Sequence, residues 1–153
     1  MLDCKSIAAP MDAILKKPRD SASYSNLIDP TMYYQLIGSL MHLTNTRPDI
    51  CFAVNALSQF MCEPMQIHWI AAKHVLRYLR GTVGYGLRYD LECHLKLQGF
   101  TDLDWVGYST DRKSTSGCCF SLGSAVISWC SRKQNSVALS TAKAKYMATS
   151  SAT

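Results

Sequence analysis

The chain has 153 residues, 48% of them hydrophobic, which is enough for one core, or for one small core plus an incomplete neighbour, and predicts a globular, soluble protein. Its net charge of +5 suits contact with phosphate without demanding it. The seven cysteines, at 4, 51, 62, 93, 118, 119 and 130, form an odd set with no C-x-x-C pair, and His68, His74 and His94 do not complete one, so no zinc site is expected. Several cysteines lie in apolar runs such as Cys51-Phe52-Ala53-Val54 and read as reduced, hydrophobe-like thiols of an intracellular protein, in cytoplasm or nucleus. No apolar run has the length of a signal peptide or a membrane span.

Residues 1–30 carry Pro10, Pro18 and the polar run Arg19-Asp20-Ser21-Ala22-Ser23-Tyr24-Ser25-Asn26, without helical or strand periodicity, and read as a loop or mobile arm. Asp29-Pro30 supplies a cap and a first-turn proline for a helix over about 31–44, with Leu36, Ile37, Leu40 and Met41 on its apolar face. Thr46-Arg47-Pro48-Asp49 repeats the start signal, with Thr46 as cap, for a second helix that keeps Ile50, Ala53, Val54, Leu57, Phe60 and Met61 in phase and closes at Pro64. A third helix begins near Gln66 with Ile67, Ile70, Ala71, Val75, Leu76 and Leu79 inward and Lys73, Arg77 and Arg80 on the other face, and Gly81 ends it as a C′ glycine. Beyond Gly84, strand-like runs at 85–89, 95–102, 117–122 and 125–129 alternate with turns, and a last helix begins near Ser140. The order predicts an α+β chain with a boundary between 82 and 95: an arm at 1–30, a helical segment at 31–84 and a β-β-β-α unit at 85–153.

Phe100-Thr101-Asp102-Leu103-Asp104-Trp105 and, forty residues on, Ser140-Thr141-Ala142-Lys143-Ala144-Lys145-Tyr146-Met147-Ala148 stand out. With Tyr34-Gln35-Leu36-Ile37-Gly38, Thr46-Arg47-Pro48-Asp49-Ile50, Ala72-Lys73-His74-Val75-Leu76-Arg77-Tyr78-Leu79-Arg80-Gly81-Thr82, Asp111-Arg112-Lys113-Ser114-Thr115-Ser116-Gly117 and Trp129-Cys130-Ser131-Arg132-Lys133-Gln134, they run in order along nearly the whole chain. This series resembles the Pol polyprotein of copia-type LTR retrotransposons, downstream of its polymerase active site. The resemblance implies a thumb/connection-like helical segment followed by the first strands and first helix of a ribonuclease H domain. It also implies that Met1 is an internal methionine of a longer frame and that the chain is cut at both ends.

In that family, carboxylates on a strand, a helix and a later strand hold two Mg2+ ions that cleave the RNA strand of an RNA–DNA hybrid. Asp102 matches the strand carboxylate. Lys145 occupies the position of the helix glutamate in the family's S-T-A-E-A-E-Y, and Lys143 replaces its companion. The resemblance puts the third aspartate beyond residue 153, and the paired aspartates of the polymerase lie upstream, so no DNA synthesis is expected. A glutamate-to-lysine change shifts the local charge by about two units and removes the oxygen ligands that hard cations require. The expectation is a non-catalytic remnant whose Asp102 holds metal weakly or not at all. Asp102 read without the family is a strand-end or turn carboxylate bonded to backbone, and Asp104 before Trp105 reads as structural.

A second function class is a nucleic-acid-binding or host-co-opted interaction module. Lys73, Arg77 and Arg80, with Arg88, Arg112 and Lys113, are its candidate phosphate contacts, to an RNA–DNA hybrid or another nucleic acid. The alternative is a solvated helix face with salt bridges. Arg77-Tyr78-Leu79-Arg80 also spells R-x-L-R, which resembles the host-entry motif of secreted pathogen effectors, but here it lies mid-chain on an amphipathic helix.

Overall fold

The computed structural model describes residues 4–11, 28–90, 94–104, 113–138 and 140–150. They form two compact units, Met1–Gly86 and Leu87–Thr153. The first is helical and the second is a three-stranded antiparallel sheet followed by a helix, which is the mixed helix-and-sheet order expected. Most of the expected arm, residues 1–3 and 12–27, lies outside the described residues.

In the first unit, α1 (Pro30–Leu43) starts as its sequence dictates. The Asp29 carboxylate accepts the Thr31 N–H at 2.9 Å, and Pro30 fills the first turn, where a missing N–H costs nothing. Its buried stripe is Tyr33, Ile37 and Leu40, whereas Met41, expected inward, is exposed. The stripe turns toward Tyr33 because its hydroxyl donates to the Leu57 carbonyl at 2.9 Å, so a tyrosine can be fully buried with its polar tip satisfied.

Thr46 does not cap the second helix. Its hydroxyl donates back to the Leu43 carbonyl at 3.2 Å, and a 3-10 turn, Pro48–Ile50, leads into α2 (Cys51–Ser58). The helix ends at Ser58, before Pro64, and Phe60 leaves it to stack on His68 with ring centroids 3.8 Å apart. Helix α3 (Gln66–Gly81) buries His68, Ala71, Ala72, Val75 and Tyr78. The expected inward residue Ile70 sits at the edge of exposure, and Leu76 and Leu79 are only partly buried. Two polar-tipped residues rotate the face: His68 Nδ1 accepts the Met65 N–H at 3.0 Å, and the Tyr78 hydroxyl donates to Asp49 Oδ2 at 2.8 Å. Tyr33, Ile37, Ile50, Val54, Leu57 and Val75 fill the space between the helices, and truncating one such leucine to alanine costs about 2–5 kcal/mol.

Gly81 is the last helical residue rather than a left-handed cap, and Thr82 caps the helix. The glycine is required by close approach instead, because a Cβ there would stand 2.9 Å from Cβ of Ser6. The 85–89 run is not a strand. Tyr85 closes a turn onto the Thr82 carbonyl, and the Tyr89 hydroxyl donates to the Val126 carbonyl, so side chains and a turn order this stretch in place of a ladder.

The second unit holds β1 (Leu97–Asp104), β2 (Thr115–Leu122) and β3 (Ala125–Lys133) in the order β1-β2-β3, all antiparallel. Gly123, at φ 62°, and Ser124 make the two-residue turn between β2 and β3, a conformation in which an L side chain is strained. A bulge between Phe120 and Ser121 shifts the register there. Helix α4 (Thr141–Ser150) packs against β1 and β2 through Ala144 and Ala148, small enough for close approach. Ser140 opens it, its hydroxyl accepting the Lys143 N–H at 3.2 Å.

Among the described residues of the first unit, Arg47 is a buried cation, with 7% of its surface exposed. Nε and Nη2 donate to the two oxygens of Asp49, at 2.9 and 2.7 Å, while Nη1 and Nη2 donate to the carbonyl and hydroxyl of Thr82, at 3.0 and 2.7 Å. The bond from Arg47 holds the Asp49 carboxyl below the usual carboxylate range, and burial raises the Tyr78 phenol above its ordinary value. The depressed carboxyl contributes stability that is complete above about pH 4 and is lost as pH falls through the folded value. The raised phenol contributes below about pH 10 and is lost as pH rises through its folded value. Urea titration of Arg47→Leu should show a loss of about 2–3 kcal/mol, below the range for a fully buried pair because Asp49 remains partly hydrated. Asp49→Asn should flatten the acid limb of the stability profile, and an unchanged limb would assign acid sensitivity elsewhere.

Candidate metal-site remnant and basic helix face

Asp102 lies on β1 directly opposite Gly117 of β2, which in turn pairs with Ser131 of β3. Its side chain is exposed, and Oδ1 accepts the N–H of Leu103 at 2.7 Å. Alternation along an extended strand sends its side chain to the same sheet face as those of Phe100 and Cys119. The helix that packs against β1 is α4, on which Lys143 and Lys145 are both exposed while Ala144 and Ala148 are buried. Gln134 ties this helix to the sheet. Its backbone N–H donates to the Ser114 carbonyl at 2.8 Å, and its side-chain amide donates to the Ser116 hydroxyl at 2.8 Å and the Ala144 carbonyl at 3.1 Å.

The pairing of elements thus brings a strand carboxylate and a helix bearing two lysines into one packed unit. No ion pair joins Asp102 to Lys143 or Lys145 among the described residues. Nor does any group of three His, Cys, Asp or Glu side chains among them come together as metal ligands. A divalent magnesium ion needs several oxygen donors and little positive charge nearby. Among the described residues, one solvent-exposed carboxylate on a strand packed by a helix with two lysines does not fit it.

The basic face of α3 is engaged in part within its own unit. Residues 4–11 cross it, and their carbonyls meet Arg77, Arg80 and His74. Arg77 Nε donates to the Lys5 carbonyl at 3.0 Å, Arg80 Nη1 donates to the Cys4 carbonyl at 2.5 Å, and His74 Nε2 lies 3.1 Å from the Ala9 carbonyl. Lys73 is exposed, with its ammonium 5.1 Å from the Trp69 ring centroid, a cation–π contact. Arg88 is exposed in the second unit, Lys113 is half-buried just before β2, and Arg112 lies outside the described residues. The R-x-L-R tetrapeptide is helical throughout, with Tyr78 buried and Leu79 packed on the core.

The residue that sequence reading missed is Arg47, assigned only to a helix start. Its signal was the triplet Arg47-Pro48-Asp49, in which proline restrains the backbone between two opposite charges.

Comparison with known proteins decides the kinship. The Pol polyprotein of transposon RE2 from Arabidopsis thaliana is 43% identical over 95% of this chain. The chain belongs to the copia-type retrotransposon Pol family. It spans 10% of the length of the RE2 polyprotein, and 60% of an uncharacterized mitochondrial protein of Arabidopsis thaliana, AtMg00810, to which it is 39% identical over 97% of its own length. It is also 47% identical, over 79% of this chain and 86% of the other, to secreted RxLR effector protein 161 of Plasmopara viticola. No protein-family model and no solved structure matches. No helix among the described residues of this Pol-family chain is long and apolar enough to cross a membrane.

The clamp on α3 is testable by limited proteolysis. The double variant Arg77→Ala/Arg80→Ala should be cut by trypsin after Lys5 about tenfold faster than the native chain, through local opening, while global stability changes by less than ~1 kcal/mol. An unchanged cutting rate would mean that the carbonyl contacts do not hold the segment.

Proposed function

We propose that this Pol-family chain is a non-catalytic remnant of a region that ancestrally cleaved RNA in RNA–DNA hybrids by two-metal hydrolysis. The observation that carries the reading is the pairing of Asp102 on β1 with a packed helix, α4, that carries Lys143 and Lys145 where the resemblance calls for glutamates. The strand-strand-strand-helix order of the second unit is consistent with the opening of a ribonuclease H fold. The helical first unit is the counterpart of a thumb or connection segment.

Charge is the deciding quantity. The ancestral site would need several carboxylates to offset two divalent ions. Lys145 withdraws a ligand, and each lysine adds a positive charge. An exposed ammonium can contact a phosphate oxygen, but it cannot generate a metal-bound hydroxide. Asp102 is then an ordinary strand carboxylate that accepts from its neighbour's N–H.

A second reading, retained binding of nucleic acid, draws on exposed Lys73 and Arg80 and on the remaining donors of Arg77. Its contacts would be to phosphates and indifferent to sequence. The effector reading suggested by the Plasmopara relative has less support, because Arg77-Tyr78-Leu79-Arg80 contributes a buried, hydrogen-bonded tyrosine to the helical core and is not an extended signal.

The test is an end-labelled RNA–DNA hybrid in magnesium, resolved on native and denaturing gels. The native chain should give no cleavage product, and cleavage would overturn the proposal. A mobility shift would support the binding reading if affinity falls with salt at a log–log slope of about −0.7 to −0.9 per phosphate contacted and survives chelation. Replacing Lys73, Arg77 and Arg80 together with alanine should then reduce that slope.

A further inference from the structure

Cys118 and Cys130 face each other across the β2–β3 hairpin, in direct register. Their sulfurs are 3.4 Å apart. Directly opposed residues of an antiparallel pair have Cα atoms about 4.5 or 5.5 Å apart and side chains on one face. Both spacings lie inside the roughly 4.4–6.8 Å window of disulfide-bonded cysteines. The sulfurs need to approach to about 2.05 Å, a closure that small side-chain torsions supply without moving the strands. Cys119 is the informative neighbour. One residue along, it points to the opposite face, and its register partners are Phe100 and Trp129, so it has no opposed thiol.

Access completes the geometry. Cys130 is exposed and Cys118 half-buried. Arg132, exposed and two residues along on the face of Cys130, offers a cation to an anionic reagent. We propose that Cys118 and Cys130 form an oxidation site, closing to a reversible disulfide by exchange with a small-molecule disulfide of the glutathione class. The thiolate of Cys130 attacks one sulfur of the reagent, forming a mixed disulfide and releasing the first reagent thiolate. The thiolate of Cys118 then attacks the Cys130 sulfur, forming the protein disulfide and releasing the second reagent thiolate. Protein sulfur is oxidised by two electrons and the reagent disulfide is reduced to two thiols, with the two cysteine protons passing to solvent or to those thiols. The bond staples β2 to β3 across the turn at Gly123 and removes conformations from the unfolded hairpin.

The experiment uses the whole folded chain, equilibrated with oxidised glutathione, quenched by alkylation and read by intact mass and peptide mapping. The native chain and Cys119→Ser should both lose two hydrogens and yield the Cys118–Cys130 cross-linked peptide. Cys118→Ser and Cys130→Ser should instead stop at glutathione adducts on the remaining thiol. Oxidation should raise the thermal midpoint of the native chain, and dithiothreitol should restore the original value. Stable glutathione adducts on the native pair, a link through Cys119, or an oxidised chain that melts no higher would each overturn the proposal.

Discussion

A guanidinium can be buried only if nearly all its donors are matched, and in the first unit that requirement falls on Arg47. Its planar fork grips both oxygens of Asp49 and turns its remaining donors onto the carbonyl and hydroxyl of Thr82. The start of α2 is thereby fixed to the end of α3, and the Thr82 hydroxyl in turn donates to the Tyr78 carbonyl, so the last turn of α3 is satisfied through the same cluster. Tyr78 and Tyr85 flank the cation, with ring centroids 6.0 and 5.9 Å from the guanidinium carbon. A lysine could not replace this fork, because a point charge on a flexible stem lacks its bidentate geometry. Aliphatic burial supplies most of the driving force for the three-helix packing. The arginine adds directional bonds that such burial lacks.

That arrangement determines what α3 presents outward. With His68, Val75 and Tyr78 turned in, the helix offers Arg77 and Arg80 to the segment at 4–11. Backbone carbonyls are weaker partners than phosphates or carboxylates, so the face keeps its positive charge while its geometry is restrained. In the second unit the restraint is steric. Ala144 and Ala148 let α4 lie close on the sheet, and the Gln134 amide bridges helix and strand. Helix α4, with its exposed Lys143 and Lys145, is thereby held against β1, the strand of Asp102.

Much of this order was legible because it rests on local rules. Asp29-Pro30 announces α1, the turn residues Gly123 and Ser124 separate β2 from β3, and Ser140 opens α4. The errors cluster where a polar group makes a long-range bond. Tyr33, His68 and Tyr78 are not among the residues that apolar periodicity places inward, because hydropathy does not reveal that Leu57, Met65 and Asp49 will satisfy them. Gly81 carries the mark of a helix cap, yet the constraint on it is the distant Ser6. The 85–89 run has strand-like residues, but among the described residues it meets β3 through the Tyr89 hydroxyl and forms no ladder with it, and β propensity counts only where a ladder exists. The candidate site divides in the same way: the motif singles out Asp102 and Lys145 as candidates, while the engagement of Arg77 and Arg80 by carbonyls of residues 4–11 has no sequence signature.

Under the proposed function, Lys143 and Lys145 on α4 stand where metal-binding carboxylates would complete a site with Asp102. The most direct measurement is paramagnetic broadening of backbone amide resonances by manganese, in the native chain and in Lys143→Glu/Lys145→Glu. The account predicts little selective broadening at Leu103 and along α4 in the native chain, and clear selective broadening at both in the double variant. Equal, site-selective broadening in the two proteins would show that Asp102 and its neighbours hold the ion despite the lysines, and would contradict the account.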